Sequence, residues 1–189
     1  MEIKRIVISV LLLSLSACQT TDTNNTTNYE AQGNLQSSTS LGCVGMNEVI
    51  PSHSPADLFL GLTACMDQGD VDNASDLYLV AMSYGYFDTR RVADRSTHQA
   101  IMVLRMNAFG DIEQSALDSF LASVKQKTSD NAGMCETLKQ LGQPRYFPTY
   151  MIQHGMGAFT EQPHSAGLID NFDSELAWKE ALSVVVNCQ

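Results

Sequence analysis

Asp94 and His98 lie four residues apart in the charged run from Asp88 to His98. On a helix that spacing places a carboxylate and an imidazole on one face, where they could bind a metal or orient a general base. Arg91 and Arg95 repeat the spacing and could hold an anion. The same charges also describe a solvated helix face, or pairs that lock one helix to another. A second group comprises Arg145, Tyr146, Phe147, Tyr150 and His154, with Pro144 and Pro148 bracketing its first three members. Aromatics beside an arginine have the composition of a partner-binding hot spot, and proline restricts the backbone that would present them. They equally describe a plug closing a helical bundle. His154 alone fits a hydrogen-bonded structural histidine better than a catalyst.

Thiol chemistry is the third possibility. Cys43, Cys65, Cys135 and Cys188 contain no CxxC pair, and their wide spacing defines no local zinc knuckle. An even number of cysteines in an exported chain reads as two disulfides. Three connectivities are open, and neighbour pairing, Cys43 with Cys65 and Cys135 with Cys188, is the expectation adopted. The chain has no GxSxG, no HExxH and no phosphate-cradling glycine loop. No catalytic residue, metal or cofactor is therefore expected. An enzyme with a dispersed site on Asp94, His98, Arg91 and Arg95 is the alternative.

The premise of export rests on the N-terminus. Lys4 and Arg5 precede the apolar run Ile6 to Leu15, which ends in Leu15-Ser16-Ala17-Cys18. A basic start, a short apolar run and small residues make a secretory signal, since a transmembrane span needs about 20 apolar residues. The four last residues resemble the lipobox of bacterial lipoproteins. That resemblance implies a signal peptide over residues 1–17, and a diacylglyceryl group on the Cys18 thiol with palmitate-type acyl chains. Several acyl chains anchor stably where one holds only marginally. Gln19 is not the aspartate that typically retains lipoproteins in the inner membrane, so the implied address is the outer membrane, with the domain facing the periplasm.

Charge and composition bound the remainder. The chain carries 21 Asp and Glu against 11 Lys and Arg, net −10, a balance that argues against a nucleic-acid partner. The anchor must come from lipid rather than from basic patches. Residues 18–41 are mostly Thr, Asn, Gln and Ser after the cysteine, too poor in apolar surface to offset the entropy of ordering, and read as a flexible tether. Residues 42–189 then form one domain.

Helix signals run through that domain. Ser54, Pro55 and Asp57 open a first helix that Gly69 closes, and Asp70 and Asp72 open a second that Gly85 closes. A third is expected from Asp88 or Thr89 to about Ala108, in a central position. Others follow from Asp111, from about Asp130 to Leu141, around Tyr150 and from Asp173. Gly155 to Asn171 reads as a surface connection, and the methionines as gap-filling core. Gly69, Ala74, Tyr78, Ala81 and Gly85 resemble one tetratricopeptide-type repeat and its shorter relatives, and no second copy is evident. The fold class expected is all-α, a compact antiparallel helical bundle or short repeat-like array of about six or seven helices. The function expected is a non-catalytic protein-binding module, either an envelope adaptor or an immunity-type inhibitor, with an envelope or exported protein as partner.

Overall fold

The computed structural model describes residues 31–159 and 167–189; the expected signal peptide, Cys18 and most of the expected tether lie outside them. Among the described residues the fold is all-α, with seven α-helices: α1 Pro55–Asp67, α2 Val71–Arg91, α3 Ala100–Phe109, α4 Gln114–Ser129, α5 Ala132–Leu141, α6 Thr149–Ile152 and α7 Ser174–Val186. Single 3₁₀ turns cover Met46–Glu48, Arg95–Gln99 and Met156–Phe159. No described helix is long and apolar enough to cross a membrane.

The hairpin α1–α2 is signed locally. Ser54 and Asp57 form a reciprocal capping box with Pro55 in the first turn, and Asp70 caps α2 by accepting from the Asn73 N–H. Gly69 takes the left-handed turn between the helices at φ +75°. From there α2 becomes the axis of the molecule, with α1, α4 and α7 packed around it. Its Leu77, Val80, Ala81 and Tyr84 are fully buried, alongside Leu58 and Leu62 of α1. Trp178 of α7, which no sequence signal singles out, packs against Tyr84 and Phe87 with ring centroids 5.6 and 6.3 Å apart.

Gly85 does not close α2. The helix runs six residues further, to Arg91, and Gly85 gives the room in which Ile101 packs: a Cβ there would collide with the Ile101 side chain. The break falls at Val92, which takes an extended conformation and bridges to Leu168. Ala93 N–H donates to Gly167 O and Ile169 N–H to Arg91 O, so a distant segment meets backbone groups that a continuing helix would have used. The long third helix expected from residue 88 or 89 is therefore two pieces, the Arg95–Gln99 turn and α3. Nor is α3 central. It lies on α1 with Ala100 and Leu104 buried, while Met102 and Met106 are exposed. The strand-like run Val184 to Val186 belongs to α7.

Order also begins earlier than residue 42. Residues 31–41, assigned above to the tether, lie along the domain as a strap. Leu35 N–H donates to Tyr150 O at 3.0 Å, and the Ser38 and Thr39 N–H groups both donate to Asp57 Oδ1 at 2.7 Å. The Asp57 side chain, which also receives the Ser54 N–H and hydroxyl, is completely buried. One carboxylate thus caps a helix and holds the strap. Disulfides Cys43–Cys65 and Cys135–Cys188 tie the strap's continuation to α1 and the C-terminus to α5.

Candidate functional site

The two groups of chemically capable residues meet at Asp88. Positioned one turn from the end of α2, its carboxyl group is fully buried. Oδ1 accepts from Arg91, with both Nε and Nη2 at 2.7 Å. Oδ2 accepts the hydroxyls of Tyr146 and Tyr150, each at 2.8 Å. Arg91 in turn donates from Nη2 to the Tyr146 carbonyl at 3.0 Å, and its guanidinium stacks over the Phe87 and Tyr146 rings at 5.2 and 5.1 Å. Burial pushes the Asp88 carboxyl above its usual range, against the pull of Arg91 and the two hydroxyls. Both tyrosines are held well above theirs by burial and then by the charge of Asp88.

This is a closed set of donors and acceptors. It fastens the segment between α5 and α6 to the end of α2, and the helix positions only half of it. Arg91 and Asp88 come from consecutive turns of α2, whereas Tyr146 arrives on the proline-bracketed segment, which Arg145 N–H ties to Pro51 O at 2.7 Å, and Tyr150 on α6 just beyond it. Arg91 is thus committed to Asp88 and gives no pair with Arg95, which is exposed on the 3₁₀ turn.

Asp94 and His98 do not face one another across an α-helix. Asp94 is the cap of the 3₁₀ turn, accepting the Ser96 N–H and hydroxyl on Oδ1 at 2.8 and 2.7 Å and the Gly157 N–H on Oδ2 at 3.3 Å. The Ser96 hydroxyl, foremost, holds its carboxyl below the usual range. His98 Nε2 sits 3.1 Å from Val92 O, which makes that nitrogen the N–H donor. His154, half-buried, places Nδ1 2.9 Å from Asn34 Oδ1 on the strap. Among the described residues, no three His, Cys, Asp or Glu side chains are grouped to hold a metal ion, and every buried side-chain nitrogen and oxygen has a hydrogen-bond partner.

What remains outward on the aromatic segment is Phe147, about half exposed at 51%. Pro144 and Pro148 on either side are buried. Arg145 is exposed beside it, and Met156 and Phe159 are exposed further along the chain. Sequence reasoning missed Asn34 and Ser38, and it read Asp57 as a helix opener without its hold on the strap. For Asp57 the signal was available in Ser54-x-x-Asp57, a capping pattern, but nothing local announces the strap that shares it. Comparison with protein-family models, with curated proteins and with solved structures gives no significant match for this chain.

Proposed function

We propose that the chain is a lipid-anchored protein of the outer membrane, acylated on Cys18, whose periplasmic domain is a non-catalytic protein-binding module: an envelope adaptor or an immunity-type inhibitor. The observation that carries the reading is the contrast between Phe147 and its neighbours. Tyr146 and Tyr150 are fixed by Asp88, and Pro144 and Pro148 are buried, so an exposed aromatic ring stands on backbone with little freedom left to lose on binding. Exposed Arg145 supplies the charge that often accompanies such an anchor. The acids and histidines that a catalyst would use are engaged in holding the backbone, Asp94 as a cap and His98 on a carbonyl.

The test is capture from detergent-solubilised envelope, with cellular complementation in parallel. Phe147→Ala is expected to lose the partner, a central aromatic being worth about 2 kcal/mol or more, while melting as wild type does. Asp94→Ala and His98→Ala are expected to retain both capture and complementation. Folded Asp94→Ala or His98→Ala protein that captures partner but fails to complement would transfer the function to the dispersed Asp94, His98, Arg91 and Arg95 site of an enzyme. Cys18→Ser is expected to leave unprocessed, unlipidated precursor; correctly cleaved soluble protein from that variant would refute the anchor.

A further inference from the structure

Phe147 lies just before α6 and is joined to it by a hydrogen bond. The Thr149 N–H donates to Phe147 O at 2.8 Å, and Thr149 opens α6, whose 4 residues make little more than one helical turn. So short a helix fixes more backbone than its own hydrogen bonds offset, and it keeps its shape through what packs against it. On the inner side Tyr150 and Met151 are buried, with the Tyr150 hydroxyl held by Asp88. Thr149 and Gln153 meet the strap instead.

Residues 31–36 form a turn seated on α6, with the Asn34 N–H donating to Ala31 O at 3.0 Å and the Gln36 N–H to Gly33 O at 3.2 Å. Gly33, at φ +92°, brings its backbone so close that a Cβ would stand 2.8 Å from Thr149 Cγ2 and 3.5 Å from Gln153 Cγ. The Leu35 N–H donates to Tyr150 O, and His154 Nδ1 lies 2.9 Å from Asn34 Oδ1 just beyond the helix. Leu35 itself has φ +53°, a left-handed conformation unfavourable for a residue with a Cβ, which its contacts to α6 must offset. The other half of the strap is fastened independently, by Asp57 to the Ser38 and Thr39 N–H groups and by the disulfide at Cys43. The turn can therefore lift from α6 while the rest of the strap stays in place.

We propose that this turn positions the partner-binding segment: seated on α6 it holds the backbone that carries Phe147 in the pose the partner meets, and lifted it leaves Phe147 too poorly ordered for tight capture. The proposal rests on the reading of Phe147 as a partner anchor. Two short routes of contact carry it, one from Gly33 through Thr149 to Phe147 O, the other from Leu35 through Tyr150 to Asp88 and Tyr146. Order that the strap supplies before binding is order the partner need not impose. Apparent affinity then follows the fraction of chains in which the turn is seated.

Leu35→Pro in the full chain unseats the turn, because proline has no N–H for Tyr150 O and cannot adopt a positive φ. Hydrogen exchange read by mass spectrometry is expected to show the amides of Thr149, Ile152 and Gln153 exchanging about tenfold or more faster than in wild type, with those of α1 and α2 unchanged. Gly33→Ala is expected to act likewise, and Gly33→Ala/Thr149→Ser to recover part of the protection, since serine lacks the obstructing Cγ2. A merely destabilised domain would not be rescued by that second change. Capture of partner from solubilised envelope by Leu35→Pro is expected to fall about fivefold or more. Wild-type exchange at residues 149–153 in Leu35→Pro, acceleration that spreads equally through α1 and α2, or wild-type capture by Leu35→Pro where Phe147→Ala captures none, would each overturn the proposal. Phe147→Ala protein that captures partner as wild type does refutes the anchor reading instead, and the exchange ratio then decides on its own whether the strap orders the segment.

Discussion

Tyr150 donates its hydroxyl to Asp88 across 62 residues of sequence, 2.8 Å from Oδ2, and with Tyr146 and Arg91 it completes the coordination of a carboxyl group that water does not reach. Removing members of this set should have graded effects. Tyr150→Phe loses one hydrogen bond and is expected to cost about 1–3 kcal/mol in urea unfolding. Asp88→Ala orphans Arg91 and two hydroxyls and is expected to cost about 3–5 kcal/mol. Equal and small losses for both would mean the set is not cooperative.

The same carboxyl gives a pH signature. Burial raises its folded-state pKa above the unfolded value, so the folded chain holds this proton more tightly. Stability from this group is then greatest below the ordinary aspartate range and declines as pH rises from that range through the raised value, with no further change above it. Urea midpoints of wild type and Asp88→Asn across that interval should show the decline only in wild type. Parallel profiles would assign it to other groups.

Gly85 makes an opposite demand on helix propensity. Alanine there would favour the helix by about 1 kcal/mol in isolation, yet its Cβ would collide with Ile101, and overpacking costs about 1–3 kcal/mol. Gly85→Ala is expected to destabilise, and Gly85→Ala/Ile101→Ala to show strong non-additivity in thermal melts because the second change removes the obstruction. Simple additivity would disprove the contact.

Asp57 joins cap and strap. Asp57→Ala is expected to cost at least about 2 kcal/mol, combining a lost cap with lost charge-assisted hydrogen bonds. Amide exchange at Ser38 and Thr39 should accelerate, because their donors point at this carboxylate. Unchanged protection of those amides would mean that the strap is held elsewhere.

The two disulfides should contribute unequally. By the loop-entropy estimate, closing 22 residues between Cys43 and Cys65 stabilises by about 3.4 kcal/mol and closing 53 between Cys135 and Cys188 by about 4 kcal/mol. Denatured, unreduced protein folded under oxidising conditions should expose no free thiol from these four cysteines to maleimide, and Cys135→Ser/Cys188→Ser should lose more stability than Cys43→Ser/Cys65→Ser.

By itself the sequence determined what is local or purely compositional. Ser54, Asp70 and Asp173 announce helix starts because a cap bonds within three residues of itself, and Cys43, Cys65, Cys135 and Cys188 announce two bridges by their even number. The all-α class followed from helical periodicity for the same reason. Glycine carries no comparable label. Gly69 and Gly85 look alike in the chain, and only packing shows that the first turns the backbone while the second makes room for Ile101. The fate of α3 was likewise hidden, since an apolar helix is central only if something covers both of its sides, and segment 167–169 broke the longer helix by offering other hydrogen bonds. Asp88 with Tyr150, and Asp57 with Ser38 and Thr39, belong to the tertiary structure alone. A buried carboxylate takes its donors from whatever the fold brings within 3 Å, and sequence separation imposes no limit on where those donors originate.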